Sequence, residues 1–392
     1  MDNKLANKEQ KNWVHYKLNK GEKIFLCKKC LTLSTRPRVQ FDKDGVCNAC
    51  RWAEDKKNKI DWKKRWKELE ELCNKYRRND GYFDIIVPCS GGKDGSYVAW
   101  VMKYKLGMHP LCVTMAPQMP SEIGRTNLVN FINSGYDVIQ VYVNPESYRK
   151  LSIIGLKEEG RPKMPFDTGV TTTVVRVAMA MRIPWIMYGE NGETEYAGLK
   201  NFDEKPWMNR EETVGVYYCG YEPTRHLGKL GLTKNDLWWW ETPTQEEFDK
   251  TGTLMTFWSY FEDWDPELHA KVSEEKCGRK SLDKPSVGTF TGYAQLDDKL
   301  QDLHAYMMYI KFGFGRAWSD ACIEIRAGRM TREEGIEMVK KYDGIFPYVY
   351  LNDYLRYFEM TEKEFFDTID SFRSPDIWEK IEGKWKLKFE IK

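Results

Sequence analysis

Short apolar runs that alternate with helical stretches constrain the fold of this 392-residue chain more than any other feature. Strands that alternate with helices are typical of a mostly parallel sheet covered by helices on both faces. The sequence therefore predicts a doubly wound α/β fold. The apolar runs lie at 84–88, 111–115, 136–143 and 184–188, and the helical stretches between them at 97–106, 121–134 and 170–182.

Ligands of doubly wound sheets bind beyond the carboxyl ends of the strands, where loops and helix N-termini converge. In this chain the rule points to the loops that follow Pro88, Met115, Val143 and Gly189. We therefore expect Met115 and Gly189 to lie beside a bound cofactor.

The loop between the first strand and the first helix is rich in glycine and in hydrogen-bond donors. Paired glycines allow the backbone amides to turn inward around an anion, and the following helix N-terminus favours negative charge. Lys93 is followed by Asp94, so the loop is not a Walker A motif. A tight glycine turn with a helix cap is the alternative, and Asp94 could hold Mg²⁺ or cap the helix. The loop reads Cys89-Ser90-Gly91-Gly92-Lys93-Asp94-Gly95-Ser96.

Two Cys-x2-Cys pairs predict a metal site near the N-terminus. Cys27 and Cys30 are followed by Cys47 and Cys50. Two such turns can complete a closed tetrahedral site of the structural zinc type, which leaves no coordination position for catalysis. An iron–sulfur cluster and four unrelated buried thiols are the alternatives.

Composition excludes several classes of protein. Hydrophobic residues make up 41% of the chain and charged residues 31%, which excludes an intrinsically disordered chain. No stretch approaches the ~20 apolar residues of a membrane span, and the lysine-rich N-terminus does not resemble a secretory signal. We therefore expect a cytoplasmic protein whose ten cysteines are thiols or metal ligands.

Charge and aromatic content divide the chain into three expected parts. Residues 1–80 carry 22 Lys and Arg against 12 Asp and Glu, whereas the remainder carries 39 against 47. The expected parts are a basic segment with a Cys₄ zinc ribbon at 1–60, an α/β domain with the glycine-rich loop at 61–200, and a mostly helical, aromatic-rich part at 201–392 that binds substrate or a partner.

The glycine-rich loop resembles the SGGxDS signature of the PP-loop ATP pyrophosphatases, with Gly95 inserted before the serine. That superfamily includes the synthetase parts of GMP, NAD and asparagine synthetases, and tRNA-modifying enzymes. The resemblance implies that residues 90–96 cradle the pyrophosphate of ATP.

Further segments narrow the resemblance to the N-acetyl sugar amidotransferases, which serve surface polysaccharide and nonulosonate biosynthesis. The resemblance extends over residues 25–350. Its segments are the cysteine pairs with Arg36-Pro37, Asp-Thr-Gly-Val at 167–170, Gly-Glu-Asn-Gly-Glu-Thr-Glu at 189–195, and the segments 311–317 and 324–334.

This family resemblance implies that an acetamido group on a nucleotide-activated sugar becomes an acetamidino group. ATP would adenylylate the amide oxygen, Mg²⁺ would offset the charge of the departing pyrophosphate, and ammonia would displace AMP. The chain has no recognisable glutaminase nucleophile. The resemblance therefore implies a separate glutaminase with a cyclase-like subunit that delivers ammonia.

The expected site residues come from the glycine-rich loop, from the ends of the strands and from the segments that carry the family resemblance. Glu190, Asn191 and Glu193 follow the fourth strand, where an acidic group could bind a second Mg²⁺ or orient ammonia, or simply form a polar loop. The expected catalytic residues are Lys93, Asp94, Glu190 and Asn191. The expected cofactor-binding residues are Ser90, Gly91, Gly92, Lys93, Gly95, Ser96, Met115, Gly189, Lys311 and Arg316. The expected zinc ligands are Cys27, Cys30, Cys47 and Cys50.

Two other functions remain open at this stage. A PP-loop tRNA-modifying enzyme would explain the basic N-terminus and the aromatic residues, which can stack on bases. The net acidic charge beyond residue 80 disfavours a nucleic-acid partner. A non-catalytic zinc-ribbon adaptor is the third interpretation, which the intact glycines and Lys93 disfavour.

Overall fold

The computed structural model describes residues 14–198, 205–216, 218 and 222–392. It is a mixed α/β structure with a parallel sheet, a four-cysteine cluster near the N-terminus and a largely helical C-terminal part rich in aromatic residues. The α/β pattern read from the sequence is therefore confirmed. Cys219, one of the ten cysteines expected to be thiols or metal ligands, lies outside the described residues.

The helices and strands are numbered here in chain order. Short 3₁₀ segments join several of them, and α3 and α5 each continue into a π-helical turn, at Val101–Lys105 and Gly155–Glu159. The elements are α1 Asn48–Asn58, α2 Trp62–Tyr76, β1 Ile85–Pro88, α3 Lys93–Trp100, β2 Pro110–Met115, α4 Glu122–Asn133, β3 Asp137–Val141, α5 Pro145–Ile154, α6 Met164–Met181, β4 Trp185–Tyr188, α7 Gly192–Glu195, β5 Trp207–Met208, α8 Arg210–Val216, α9 Lys234–Leu237, α10 Gln245–Thr251, β6 Leu254–Phe257, α11 Trp258–Phe261, α12 Pro266–Cys277, α13 Lys299–Phe312, α14 Arg316–Ala327, α15 Arg332–Tyr342, α16 Leu351–Phe358, α17 Glu362–Asp370, β7 Trp378–Ile381 and β8 Lys384–Leu387.

The main sheet has the strand order β3-β2-β1-β4-β6-β5. All neighbours are parallel except β5, which runs antiparallel to β6. The chain proceeds from β1 outward to β3 and then returns to place β4 on the other side of β1. The crevice between the loops after β1 and β4 is therefore the topological switch point, where doubly wound sheets bind ligands.

Both faces of the sheet are covered, as continuous apolar strands require. Successive residues of a strand point to opposite faces, so Ile85 and Val87 pack in one apolar cluster, together with Val98 of α3. Ile86 packs on the other face with Val174 of α6. These two clusters fix the glycine-rich loop between a buried strand and a buried helix.

The sheet extends beyond the four expected strands. Residues 254–257 form β6, which pairs with β4, and residues 207–208 form the short edge strand β5. The apolar pattern of β6 is interrupted by Thr256, and a two-residue strand such as β5 has no periodicity to recognise. Near the C-terminus, β7 and β8 form a hairpin within the part of the chain that was expected to be mostly helical.

Candidate functional site

The glycine-rich loop depends on close backbone packing at two of its glycines. Gly91 has a φ of +82°, which side chains rarely adopt, and a Cβ there would lie 2.6 Å from the Leu128 backbone nitrogen. A Cβ on Gly95 would lie 2.6 Å from the Pro88 carbonyl oxygen and 2.9 Å from Cys89 Cα. The glycine that departs from the family signature thus lets α3 start directly against the end of β1.

Replacing Gly95 with alanine is expected to destabilise the protein by about 1–3 kcal/mol, because the new methyl group meets backbone atoms that cannot rotate away. Thermal or urea unfolding measures the change. Gly215 is the matched control, since it lies in α8, is exposed and has open space around its Cα. Gly215→Ala should instead stabilise by up to about 1 kcal/mol through helix propensity. Equal stability of the two variants would contradict the packing argument.

Helix α3 begins without a side-chain cap. Gly92 occupies its N-cap position and supplies no side-chain acceptor for the amides of the first turn. Two other helices of the sheet are capped, α4 by Ser121 and α5 by Asn144, whereas α6 also begins without a side-chain cap. Uncapped first-turn amides at the carboxyl end of a strand are suited to bind a phosphate or another anion.

Asp94 is the centre of a buried hydrogen-bond network. Its Oδ1 accepts hydrogen bonds from Trp264 Nε1 at 2.9 Å and from His269 Nδ1 at 2.8 Å, and its Oδ2 pairs with the Lys93 ammonium. His269 stacks on Tyr97, with 3.9 Å between the ring centroids. Burial raises the pKa of Asp94, but Lys93 and His269 outweigh burial and hold the pKa well below its usual range. Asp94 is therefore a fixed negative charge.

The pKa of Glu190, which follows β4, is shifted in the opposite direction from the pKa of Asp94. Burial and the negative charge of Asp94 raise its pKa to about 7, although Lys93 and Arg316 oppose the shift. Gly189 lies against Asp94, because a Cβ there would be 2.8 Å from Asp94 Cβ. One carboxylate that stays ionised and one that titrates near neutral pH therefore face the switch point, a pairing typical of proton-transfer sites.

A cleft of about 410 Å³ opens above these residues. Ser90 Oγ donates a hydrogen bond to Asp297 Oδ2 at 2.7 Å across it. Cations and carboxylates are interspersed around the walls, which suits a metal-bound polyphosphate better than a free anion. The charged groups that line it are Lys93, Lys163, Arg279, Arg316, Asp94, Glu190, Asp297 and Asp298.

The structure brings only part of the expected set into this cleft. Ser90, Gly92, Lys93, Asp94, Gly95, Glu190 and Arg316 line it, whereas Gly91, Ser96, Met115, Gly189, Asn191 and Lys311 do not.

The expected residues outside the cleft have other contacts. Ser96 is buried with its Oγ 3.6 Å from Cys89 Sγ, and Met115 is fully buried at the end of β2. Asn191 Oδ1 caps α7 by accepting the Glu193 amide hydrogen at 3.0 Å. The assignment of these residues to cofactor binding or catalysis stays a prediction.

Several cleft residues carry no local signal in the sequence. His269 and Trp264 reach Asp94 from 175 and 170 residues away. Arg279 and Asp297 belong to the irregular segment between α12 and α13. The sequence contains no motif around these positions, so only the tertiary structure identifies them.

The four cysteines form the expected cluster. The ligand atoms of Cys27, Cys30, Cys47 and Cys50 all lie within 4.8 Å of one another, and all four residues are buried. Cys27 Sγ is 3.8 Å from Cys50 Sγ, and Cys30 Sγ is 3.7 Å from Cys47 Sγ. Sulfurs bound at ~2.3 Å to one tetrahedral ion are about 3.8 Å apart, so the cluster can hold one zinc ion. A cluster of several irons would separate the sulfurs further.

Glu193, which was expected near the active site, and Glu195 attach the cysteine module to the α/β core; the module comprises residues 14–60, with the four cysteines and α1. Glu193 forms a two-pronged ion pair with Arg38, in which Arg38 Nε donates at 2.8 Å. Glu195 accepts hydrogen bonds from Trp52 Nε1 and from Lys56 Nζ, each at 3.0 Å. All of these side chains are at least half-buried. The loop after β4 thus presents Glu190 to the cleft and its later carboxylates to the module.

The cysteine cluster is the only group of three or more His, Cys, Asp or Glu in the described ranges whose ligand atoms lie this close together. The cleft carboxylates therefore form no preassembled cage for a metal ion. None of the helices in the described part of the chain combines the length and apolar character that a membrane span needs.

Comparison with known protein families gives a match for the C-terminal region. Residues 287–392 match the model of the C-terminal domain of WbpG-like lipopolysaccharide (LPS) biosynthesis proteins. This region includes α13, whose Gln301 borders the cleft, and α14, which begins with Arg316.

Two further similarities are weaker. An uncharacterized protein of Methanocaldococcus jannaschii, MJ1599, is 22% identical over 179 residues, which are 45% of this chain and 63% of that protein. A crystal structure of a predicted subunit of a tRNA methyltransferase, also from M. jannaschii, is 13% identical and covers 58% of this chain and 88% of its own. Its TM-score of 0.29 is too low to carry an argument about this chain.

Proposed function

We propose that this chain is an ATP-dependent amidotransferase of the PP-loop type that converts an acetamido group of a nucleotide-activated sugar to an acetamidino group. The amide oxygen attacks the α-phosphorus of ATP, pyrophosphate leaves, and an O-adenylyl imidate forms. Ammonia adds to the imidate carbon, loses a proton, and AMP departs with the former amide oxygen. A separate glutaminase with a cyclase-like subunit supplies the ammonia.

The observation that carries this proposal is the uncapped N-terminus of α3 at the switch point of the sheet, with Lys93 beside it. Backbone amides from the loop and the Lys93 ammonium would stabilise the charge that develops on pyrophosphate. Arg279 and Arg316 line the same cleft and add positive charge. The match of the C-terminal region to LPS biosynthesis proteins supports a sugar as acceptor.

The cleft fits Mg²⁺ as well as phosphate. Asp94, Glu190 and Asp297 offer hard carboxylate oxygens, and Mg²⁺ is usually held by one or two carboxylates together with substrate phosphates. When bound, Mg²⁺ would offset the charge of the polyphosphate. Asp94 is suited to this role, because Lys93 and His269 keep it ionised.

Glu190 is proposed to accept the proton of the attacking ammonia. Ammonia that adds to the imidate carbon becomes positively charged and must lose a proton. A carboxylate with a pKa of about 7 can accept that proton near neutral pH. Asp94 cannot, because its pKa lies well below the usual range.

Replacing Glu190 with glutamine is expected to lower the rate of amidine formation by about 10²- to 10⁴-fold. The unmodified enzyme should gain activity as pH rises through about 7, where Glu190 becomes a carboxylate, and the variant should lack this rise. Rates are measured from pH 6 to 8.5 at constant free ammonia, since ammonium itself titrates. A rise of equal size in the variant would remove Glu190 from the proton transfer.

The reaction itself is tested by mass spectrometry with MgATP, ammonium and a panel of nucleotide-linked acetamido sugars labelled with ¹⁸O in the amide. We expect AMP and pyrophosphate, a sugar lighter by 1 Da than its unlabelled parent, and ¹⁸O in the phosphate of AMP. Release of AMP that contains no label would contradict adenylylation of the amide. AMP release that requires added tRNA, with every sugar unchanged, would favour the nucleic-acid interpretation instead.

The four-cysteine cluster is proposed to hold structural zinc. A closed set of four cysteines leaves no position for substrate, so the ion would act through the shape of the module. Arg38, Trp52 and Lys56 connect the module to the loop that carries Glu190. The ion would therefore support the cleft indirectly.

A further inference from the structure

A second cavity lies between the cysteine module and helix α13. Its volume is about 190 Å³. Arg36 and Arg38 line it from the module, Lys311 from α13, and Arg161 from the segment before α6. Glu193 is the only carboxylate among the described residues that line it. The lining therefore carries four cations and one carboxylate; Arg38 pairs with Glu193, and Arg161 pairs with Glu159, a buried carboxylate outside the lining.

Arg36 is the clearest sign that the cavity accepts an anion. Its guanidinium packs on the Phe314 ring at 4.4 Å and donates a hydrogen bond to Ser319 Oγ at 2.7 Å. No carboxylate pairs with it in the part of the chain that the structure describes. Burial lowers the pKa of this guanidinium, so its charge is only partly compensated by water or protein. Stacked arginines of this kind bind phosphate groups well.

The cavity also contains a neutral hydrogen-bonding group. Burial lowers the pKa of His304 to about 4, so its ring is uncharged at neutral pH. Its Nδ1 is buried without a hydrogen-bond partner among the described residues. A neutral imidazole beside arginines and aromatic rings is suited to a hydroxyl group of a sugar.

The cavity and the glycine-loop cleft share two segments. On α13, Gln301 lines the cleft and His304, one turn further, lines the cavity. Before α6, Lys163 lines the cleft and Arg161 lines the cavity. Lys163 also hydrogen-bonds to Gln301 and thus joins the two segments. A ligand bound in the cavity can therefore extend toward the cleft.

We infer that this cavity binds the diphosphate of a nucleoside diphosphate sugar, with the reacting acetamido group directed along α13 toward the cleft. This inference rests on the proposed function for the identity of the acceptor. A diphosphate carries two or more negative charges, which the excess of cations can match, and the cavity is too small to enclose a whole nucleotide sugar. The cysteine module thereby becomes one wall of the acceptor site, because it contributes Arg36 and Arg38.

The test is calorimetric titration with UDP as the probe and with an unreactive ATP analogue in parallel. Arg36→Gln and Arg161→Gln should each weaken UDP binding at least tenfold and change the affinity for the ATP analogue less than twofold. Lys93→Met should show the reverse. Lys29→Gln removes one exposed charge from the same module and should change neither affinity.

Unchanged metal content and affinity for the ATP analogue show that the arginine variants are folded. UDP binding that survives in both arginine variants but is lost in Lys93→Met would overturn the inference, because UDP would then occupy the cleft. Inorganic pyrophosphate should displace UDP; failure to do so would mean that the diphosphate is not recognised.

The two proposals can fail separately. UDP binding needs neither ammonia nor amidine formation, so the arginine dependence can hold even if no sugar is converted. Conversely, amidine formation with an unchanged KM for the sugar in Arg36→Gln would retain the amidotransferase and overturn the acceptor site.

Discussion

Replacing Lys93 with methionine is expected to lower AMP and amidine formation by about 10³-fold, or ~4 kcal/mol of transition-state stabilisation. Lys93 is nearly buried at the start of α3, and its ammonium contacts Asp94. Positive charge held in place against a departing pyrophosphate is worth more in such a site than in water, because few solvent dipoles compete with it. The measurement is a steady-state assay of AMP release with saturating MgATP.

The same substitution should also shift the rise of activity with pH. Lys93 lowers the pKa of Glu190, so its removal should raise that pKa above about 7. The rise in activity should then occur at higher pH in Lys93→Met than in the unmodified enzyme. Lys105→Met is the matched control, since Lys105 is exposed in the turn that continues the same helix. A control variant with the same defect as Lys93→Met would show that helix integrity, and not the ammonium, is responsible.

Local patterns predicted the part of the fold that determines where the site lies. Each of the four expected strands is present within two residues of its predicted ends, because a buried parallel strand is a continuous apolar run. The helix after the glycine loop begins at Lys93, four residues before the stretch 97–106 in which helical spacing is recognisable. The early start follows from Gly95, which allows α3 to pack against the end of β1.

The environment of each charged group could not be predicted in the same way. Asp94 and Glu190 were both expected as acidic site residues, but Lys93 and His269 lower the pKa of Asp94, whereas burial and Asp94 raise the pKa of Glu190. His269 is separated from Asp94 by 175 residues and has no metal-ligand spacing that would mark it. Lys311 was expected at the phosphates of ATP, whereas it lines the second cavity. Side-chain partners depend on tertiary contacts that a single sequence does not encode locally.

Loss of the metal from the cysteine cluster is expected to affect acceptor binding more than ATP binding. Cys30→Ala should remove about one zinc per chain and destabilise the protein by more than about 4 kcal/mol, because three buried thiols would remain without their ion.

Arg36 and Arg38 depend on the fold of the cysteine module, so UDP affinity should fall at least tenfold in Cys30→Ala. Helix α3 and its loop are held by the sheet, so the affinity for an ATP analogue should be largely kept. Metal analysis, thermal unfolding and calorimetry on one preparation separate these effects.

Cys73→Ala alters a buried cysteine of α2 outside the cluster and should retain both zinc and UDP binding. Equal loss of ATP and UDP binding in Cys30→Ala would mean that the ion supports the whole fold and has no particular connection to the acceptor site.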